Sequence, residues 1–193
     1  GGIVYGTAGG RDLTSLRAAI EKLPDIDSRT WTCSGSVQIG DETIVCSGTH
    51  GEETFAQALA NSCNVAFAEM AVELGADTMK AYTEKAGLTG SYSVSGLPTA
   101  KGTFDFDGAT DGQLGWAGVG QYHDAVNPCA LMVYMGAVAN GGKAAVPKLI
   151  LKYGNALGLP ALRTSSGRTG RLIDAKTAGV LSELMANNVV STY

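Results

Sequence analysis

The residues best placed for chemistry in this 193-residue chain are Ser62 and Asn64, which flank Cys63 where the pattern joins two short helices. A hydroxyl and a carboxamide two residues apart can share one cleft. Such a hydroxyl can relay a proton and such an amide can hydrogen-bond a peptide carbonyl. The same triplet also reads as an ordinary cap that satisfies the first N–H groups of the following helix. His50 and His123 are the two histidines. A Ser-His-Asp triad would need one of them, and neither lies near a Gly-x-Ser-x-Gly elbow. Cys33, Cys46 and His50 have the chemistry of zinc ligands, but no Cys-x-x-Cys accompanies them, so neither a metal nor a cofactor is expected. Gly6-Thr7-Ala8-Gly9-Gly10 lacks the Gly-Lys-Ser/Thr ending of a phosphate loop and reads as a linker. Arg163, Arg168 and Arg171 read as solvated charge in a polar loop, and Met132, Met135 and Val138 as core packing.

The elements that must position these residues follow from periodicity. Leu13, Leu16, Ile20 and Leu23 form the stripe of an amphipathic helix, capped by Asp12 and stopped by Pro24. Trp31 to Cys46 reads as a hairpin turning near Gly40-Asp41. If that hairpin is symmetric about Ile39-Gly40, Cys33 faces Cys46 across the strands, near enough for a disulfide. A bulge in the turn would instead leave two free thiols.

Helices are expected over Glu53–Ala60, over Asn64–Leu74 with Gly75 closing it, and over Asp77–Ala86 with Asp77 as cap and Gly87 as stop. Residues 88–124 carry little periodicity and read as loop. Asn127 and Pro128 open an apolar helix that ends at Gly141-Gly142. Ala144–Tyr153 reads as a strand and Gly154–Arg171 as loop, and Asp174 caps a last helix containing Val180, Leu181, Leu184 and Met185.

Composition narrows the class. Hydrophobic residues are 45% and charged residues 17%, enough apolar material for a core. Fourteen Lys plus Arg against 18 Asp plus Glu leave a net charge of −4, which argues against a nucleic-acid partner. The longest uncharged run, Ala125 to Gly142, is interrupted by Asn127, Pro128 and Asn140 and is too short in its apolar part to span a membrane. The start of the chain has no basic region of the kind a signal peptide carries. Its 27 glycines imply many turns and sharp element ends.

Several motifs occur in a telling order. The run Ala58-Leu59-Ala60-Asn61-Ser62-Cys63-Asn64-Val65-Ala66-Phe67 comes first. Trp116-Ala117-Gly118-Val119-Gly120-Gln121, Val126-Asn127-Pro128 and Ala137-Val138-Ala139-Asn140-Gly141-Gly142 follow it. This succession resembles the transpeptidase domain of penicillin-binding proteins. The Cys33-Ser34-Gly35 and Cys46-Ser47-Gly48 segments with Thr49-His50-Gly51 resemble the clostridial branch of its class B enzymes. Leu184 to Val190 is similar to the helix before the family's third motif.

The resemblance, over roughly residues 13–193, implies one transpeptidase-like domain across residues 1–193, with 1–11 a linker or an altered first-motif segment. It implies a mainly α fold with a small β-hairpin, the helical subdomain of the serine β-lactamase-like α/β fold without most of its central antiparallel sheet. The implied activity is D,D-transpeptidation in peptidoglycan cross-linking. Catalytic roles fall to Ser62 and Asn64 and substrate contact to Gly120 and Gln121. The implied partners are a peptidoglycan stem peptide or a β-lactam, and the implied location is the cell-wall face of a bacterial membrane, with the parent protein membrane-anchored.

The departures are as informative. The family uses Ser-x-x-Lys for its nucleophile and base, and aligned through Ala18-Ala19-Ile20-Glu21 those positions fall on Gly9 and Asp12. Lys176-Thr177-Ala178-Gly179 mimics the family's Lys-Thr-Gly motif but sits in a helical pattern. The true motif would fall beyond Tyr193. The expectation is therefore a catalytically incompetent domain, the alternative being a non-catalytic module that binds a peptide or a cell-wall protein. Without the sheet, the Leu13–Leu23 stripe and the Asn127–Asn140 helix would expose apolar surface and drive self-association.

Overall fold

The protein is described by a computed structural model covering residues 4–5, 13–154, 162–163 and 165–192. A short strand β1 (Val4–Tyr5) precedes helix α1 (Leu13–Lys22). Of the expected stripe Leu16 and Leu23 are buried and Ile20 is half-buried, and Leu23 still donates to the Ala19 carbonyl before Pro24 ends the turn. Leu16 and Leu23 therefore do not face water, contrary to expectation. Leu16 and Leu23 join the core, with Ile20 packed against it.

Four strands follow: β2 (Thr30–Cys33), β3 (Ser36–Ile39), β4 (Glu42–Val45) and β5 (Gly51–Thr54). They form two separate antiparallel ribbons, β3 with β4 and β2 with β5. The β3–β4 turn lies at Gly40-Asp41, so Ile39 pairs with Glu42 and Ser36 with Val45. Cys33 pairs with Gly51 rather than with Cys46, which corrects the symmetric register. The reason is local. Gly35 adopts φ +99°, which breaks the strand after Ser34 and releases β2 to a different partner. The cysteines are free thiols.

Helix α2 (Phe55–Ala60) starts two residues later than expected, because Glu53 belongs to β5 and Thr54 is the cap. Thr54 and Gln57 exchange side-chain and backbone hydrogen bonds as a capping box. Helix α3 (Asn64–Leu74) matches its expected span and ends on Gly75, whose N–H reaches the Ala71 carbonyl. Helix α4 (Ala76–Lys85) begins one residue earlier than expected. Gly75 takes the cap position and Asp77 lies in the first turn, where its charge faces the helix dipole.

The stretch expected to be loop contains strands β6 (Ser93–Val94) and β7 (Leu97–Pro98) and, more importantly, helix α5 (Asp111–Gly118). Thr110 and Gln113 form a second capping box. Gly112, Gly115 and Gly118 line one face, and a Cβ at Gly118 would meet both Ala71 Cβ and the Phe67 carbonyl. Those glycines let α5 lie directly on α3 and the β3–β4 ribbon. They also erase the apolar periodicity that would have announced the helix.

Strand β8 (Ala125–Val126) pairs with β1 and leads into helix α6 (Pro128–Ala139). Asn127 caps it by accepting from the Cys129 and Ala130 N–H groups, with Pro128 at the first position. Of this helix only part of the expected apolar surface is open: Met132 is exposed, while Val133, Tyr134, Ala137 and Val138 are buried.

The strand expected over Ala144–Tyr153 shrinks to an Ala145–Arg168 bridge and β9 (Lys152–Tyr153), which pairs with β10 (Leu162–Arg163). Helix α7 (Ala175–Thr192) starts where Asp174 Oδ1 accepts from the Lys176 N–H. Lys176 to Gly179 are helical, as the pattern required. The apolar side chains of all seven helices that are described as buried belong to one core, running from Leu16 to Leu181.

Candidate active site

The α2–α3 junction is tightly determined. Asn61 donates through its backbone to Gln57, Ser62 to Leu59 and Cys63 to Ala58. Ser62 takes φ +55°, a left-handed conformation that costs a non-glycine residue about 1–2 kcal/mol and persists only when neighbours impose it. Two of those neighbours are identifiable. Asn61 Nδ2 donates to Glu53 Oε1 at 2.6 Å, which fixes the junction to β5. Asn64 Nδ2 donates to the Val45 carbonyl at 2.8 Å, and the Asn64 N–H points at Cys46 Sγ at 3.3 Å, which fixes it to the end of β4. The amide nitrogen of Asn64 carries two hydrogens, so holding Val45 occupies one and leaves the other for a ligand. Ser62 and Asn64 are both half-buried.

Gly120 and Gln121 form the turn that ends α5. Their N–H groups donate to Ala117 and Trp116, Gly120 is left-handed at φ +78°, and Gln121 is exposed. The turn is anchored from α1, where the Ser15 hydroxyl donates to the Gly118 carbonyl at 3.3 Å. Helices α1, α3 and α5 thus hold the junction and the turn on one framework. Farther along, the expected Asn140-Gly141-Gly142 stop docks onto the start of α7. Gly142 at φ +92° comes so close to Ile173 that a Cβ would strike its carbonyl, and Arg171 donates to the Gly141 carbonyl at 2.8 Å. That contact gives Arg171 a structural partner, whereas the sequence read it as solvated.

Behind the junction lies a cluster of which the sequence suggested only part. Cys33, Cys46, His50 and Cys63 place their ligand atoms within 4.8 Å of one another. Cys46 Sγ is 3.6 Å from His50 Nδ1, which is in turn 3.6 Å from Glu53 Oε2. Burial opposes ionisation of the Cys46 thiol, but hydrogen bonds from the Asn64, Gly48 and Val65 N–H groups and from Cys33 outweigh it, so its pKa falls. Burial and the neighbouring Glu53 push Cys63 the other way. Cys63 was the missing fourth member. Its signal was in view as the central residue of Ser62-Cys63-Asn64, but no local spacing joins it to Cys33. His123 is exposed and lies edge-on to Tyr122, with ring centres 4.1 Å apart.

The sequence matches the penicillin binding protein transpeptidase domain over residues 20–193. This chain belongs to that family. Among curated relatives, the peptidoglycan D,D-transpeptidase PbpA of Mycobacterium tuberculosis is 29% identical over 157 residues, covering 78% of this chain and 29% of that protein. Among solved structures, PBPA from the same organism superposes with a TM-score of 0.83 at 20% identity, over 98% of this chain and 46% of that one. The D,D-transpeptidase domain of a peptidoglycan glycosyltransferase from Eggerthella lenta gives 0.82 at 21% identity, over 98% and 49%. The chain therefore spans less than a third of the curated relative and about half of the solved ones.

Gly9 and Asp12, at the expected nucleophile and base positions, lie outside the described residues, as does the Gly6–Gly10 segment. No helix among the described residues is long and apolar enough to cross a membrane.

Proposed function

We propose that this chain is the helical, cleft-wall portion of a peptidoglycan D,D-transpeptidase domain acting outside the cytoplasm, and that it is not itself acylated. The observation that carries the reading is the Ser62-Cys63-Asn64 junction. A serine is held left-handed between two helices, beside an asparagine with one amide hydrogen to spare. In a complete site Ser62 would pass a proton between nucleophile and leaving amine, Asn64 would hold the donor peptide's carbonyl, and Gly120-Gln121 would border the peptide. Much of the central sheet of the fold would come from segments outside this sequence.

Gly9 offers no hydroxyl to acylate and Asp12 no amine to activate one. Proton relay contributes about 10²–10⁴ in rate but has nothing to act on without a nucleophile. The same two residues favour the second reading, a module that binds a stem peptide without turning it over. Intact-mass spectrometry after incubation with penicillin tests the first point, with no stoichiometric adduct expected. An adduct on Ser62 would overturn the assigned roles. Calorimetric titration with a D-Ala-D-Ala-terminated peptide separates the two readings. Binding that Asn64→Ala weakens supports the module, and no binding leaves the chain dependent on its missing partners.

A further inference from the structure

We propose that residues 148–153, with the β6–β7 hairpin beside them, are a docking surface for an anionic lipid bilayer on which the chain rests without crossing it. Five of the eight large apolar side chains exposed among the described residues lie on these two pieces: Leu97, Leu149, Ile150, Leu151 and Tyr153. Leu149 and Leu151 are 72% and 67% exposed, so they project into solvent instead of lining a groove. Their backbone is held in place. The Leu149 and Ile150 N–H groups both donate to Ser95 Oγ, at 3.0 and 3.2 Å. Ser95 sits in the two-residue turn between β6 and β7, so these bonds tie the segment to the hairpin that carries Leu97. Single exposed apolar residues are ordinary, but three in a row on a tethered backbone make a patch that asks for a partner.

Charge decides which partner fits. Residues 125–173 hold six basic side chains, Lys143, Lys148, Lys152, Arg163, Arg168 and Arg171, and no acidic one, which leaves −10 for the rest of a chain whose net charge is −4. Lys152 and Arg163 are direct partners in the β9–β10 register, so they share one side of the ribbon, and both are exposed. Like charges set opposite each other destabilise a ribbon, and an anion laid over the pair relieves the repulsion. Lipid phosphates supply that anion beside hydrocarbon. The leucines enter the interface, lysine stems reach back to the headgroups, and Tyr153 has the amphipathic ring suited to headgroup depth. A second copy of the chain fits less well, because a two-fold contact sets this patch against itself and crowds the basic side chains of two ribbons. An acidic protein would answer the charge but would need a cavity for each projecting leucine, whereas transfer into hydrocarbon is non-directional. Only the placing of this bilayer outside the cytoplasm rests on the transpeptidase reading.

The test uses the whole 193-residue chain and its sedimentation with large vesicles, either of phosphatidylcholine alone or of an equimolar mixture with phosphatidylglycerol. The expected result is binding to the mixed vesicles that weakens as salt rises, with far less binding to phosphatidylcholine. Lys152→Gln together with Arg163→Gln should weaken binding about 25-fold, at about fivefold for each basic residue near the surface. Leu149→Ser together with Leu151→Ser should weaken it at least about tenfold at any salt concentration. Lys22→Gln, at the exposed end of α1, should leave it unchanged. If a double variant does not fold, Tyr153→Trp in the otherwise unaltered chain decides. Its added emission should shift to the blue and be quenched by brominated acyl chains in mixed vesicles. No binding to mixed vesicles, equal binding to both vesicle types, or unquenched emission from that variant would overturn the proposal. So would polyglutamate binding in preference to vesicles, which marks an acidic protein partner, or a dimer that Leu149→Ser disperses in a chain that ignores vesicles. A penicillin adduct would bear on the acylation reading and leave the vesicle result intact.

Discussion

Around Arg17 buried charge is matched by hydrogen-bonding protein partners, whereas Glu53 Oε2 has no hydrogen-bond partner among the described residues and only His50 at 3.6 Å. Arg17 Nε donates to Glu21 Oε1 at 3.0 Å and Nη1 to the Leu172 carbonyl at 2.7 Å, and its guanidinium lies 5.1 Å from the centre of the Tyr82 ring. Tyr82 in turn donates to Glu21 Oε2 at 2.8 Å. Burial and the Glu21 acceptor push the Tyr82 hydroxyl up to about 12. This cluster joins α1, α4 and the entry to α7 with cation, anion and donor all supplied by the chain. The Glu53 cluster joins two ribbons and two helices with thiols, an imidazole and a carboxylate. The first is satisfied by protein partners, and in the second Glu53 Oε2 has no hydrogen-bond partner among the described residues.

The largest effect should come from breaking the complete cluster. Arg17→Ala leaves Glu21 and the Leu172 carbonyl short of a donor. Removing one partner of a buried pair costs about 3–5 kcal/mol, and the 23% exposure of the Glu21 side chain brings the expectation to about 2–3 kcal/mol. At about 2–4 °C per kcal/mol for a chain of this size, thermal melts followed by circular dichroism should fall by several degrees. A fall under one degree would show that the network contributes little.

Glu53→Gln in metal-free protein should change stability by less than about 1 kcal/mol, because the amide oxygen can still accept from Asn61 while the unpartnered charge disappears. A loss matching that of Arg17→Ala would mean the two clusters do not differ as described. The smallest effect is in pH dependence. Burial alone would raise the Glu21 carboxyl, but hydrogen bonds from Tyr82, Arg17 and Thr177 and the Arg17 charge outweigh it and hold it below the usual range. The folded state therefore binds this proton less readily than the unfolded chain. The resulting stability is present above the unfolded carboxyl value and is lost as pH falls through the folded one. The difference in melting temperature between the unaltered protein and Glu21→Gln should shrink as pH drops from 6 to 3. A difference that stays constant would remove Glu21 from the acid response.

Legibility followed the range of the forces involved. Asn127-Pro128 announced α6 and Asp174 announced α7, because a cap acts within one turn of its own helix. Helix α5 was illegible by periodicity, since Gly112, Gly115 and Gly118 carry no apolar side chain on the face they bury. Its Thr110–Gln113 capping box was the signal that could have found it. The Ser62–Asn64 site was legible as a motif. The left-handed backbone that presents Ser62, and the Val45 contact that occupies half of the Asn64 amide, were not.

By itself the sequence determined the helices with local stops and caps, the helical setting of Lys176-Thr177-Ala178-Gly179 and the order of motifs that carries the family resemblance. The tertiary structure alone decided that β2 leaves its neighbour to pair with β5, so Cys33 faces Gly51. It alone brought Cys63 to Cys33, Cys46 and His50. The physical reason is the distance over which each choice is made. A cap or a stop is settled by atoms a few residues apart. Strand partnership and the convergence of side chains depend on which of many distant surfaces the chain buries together, and no spacing along the chain records that choice.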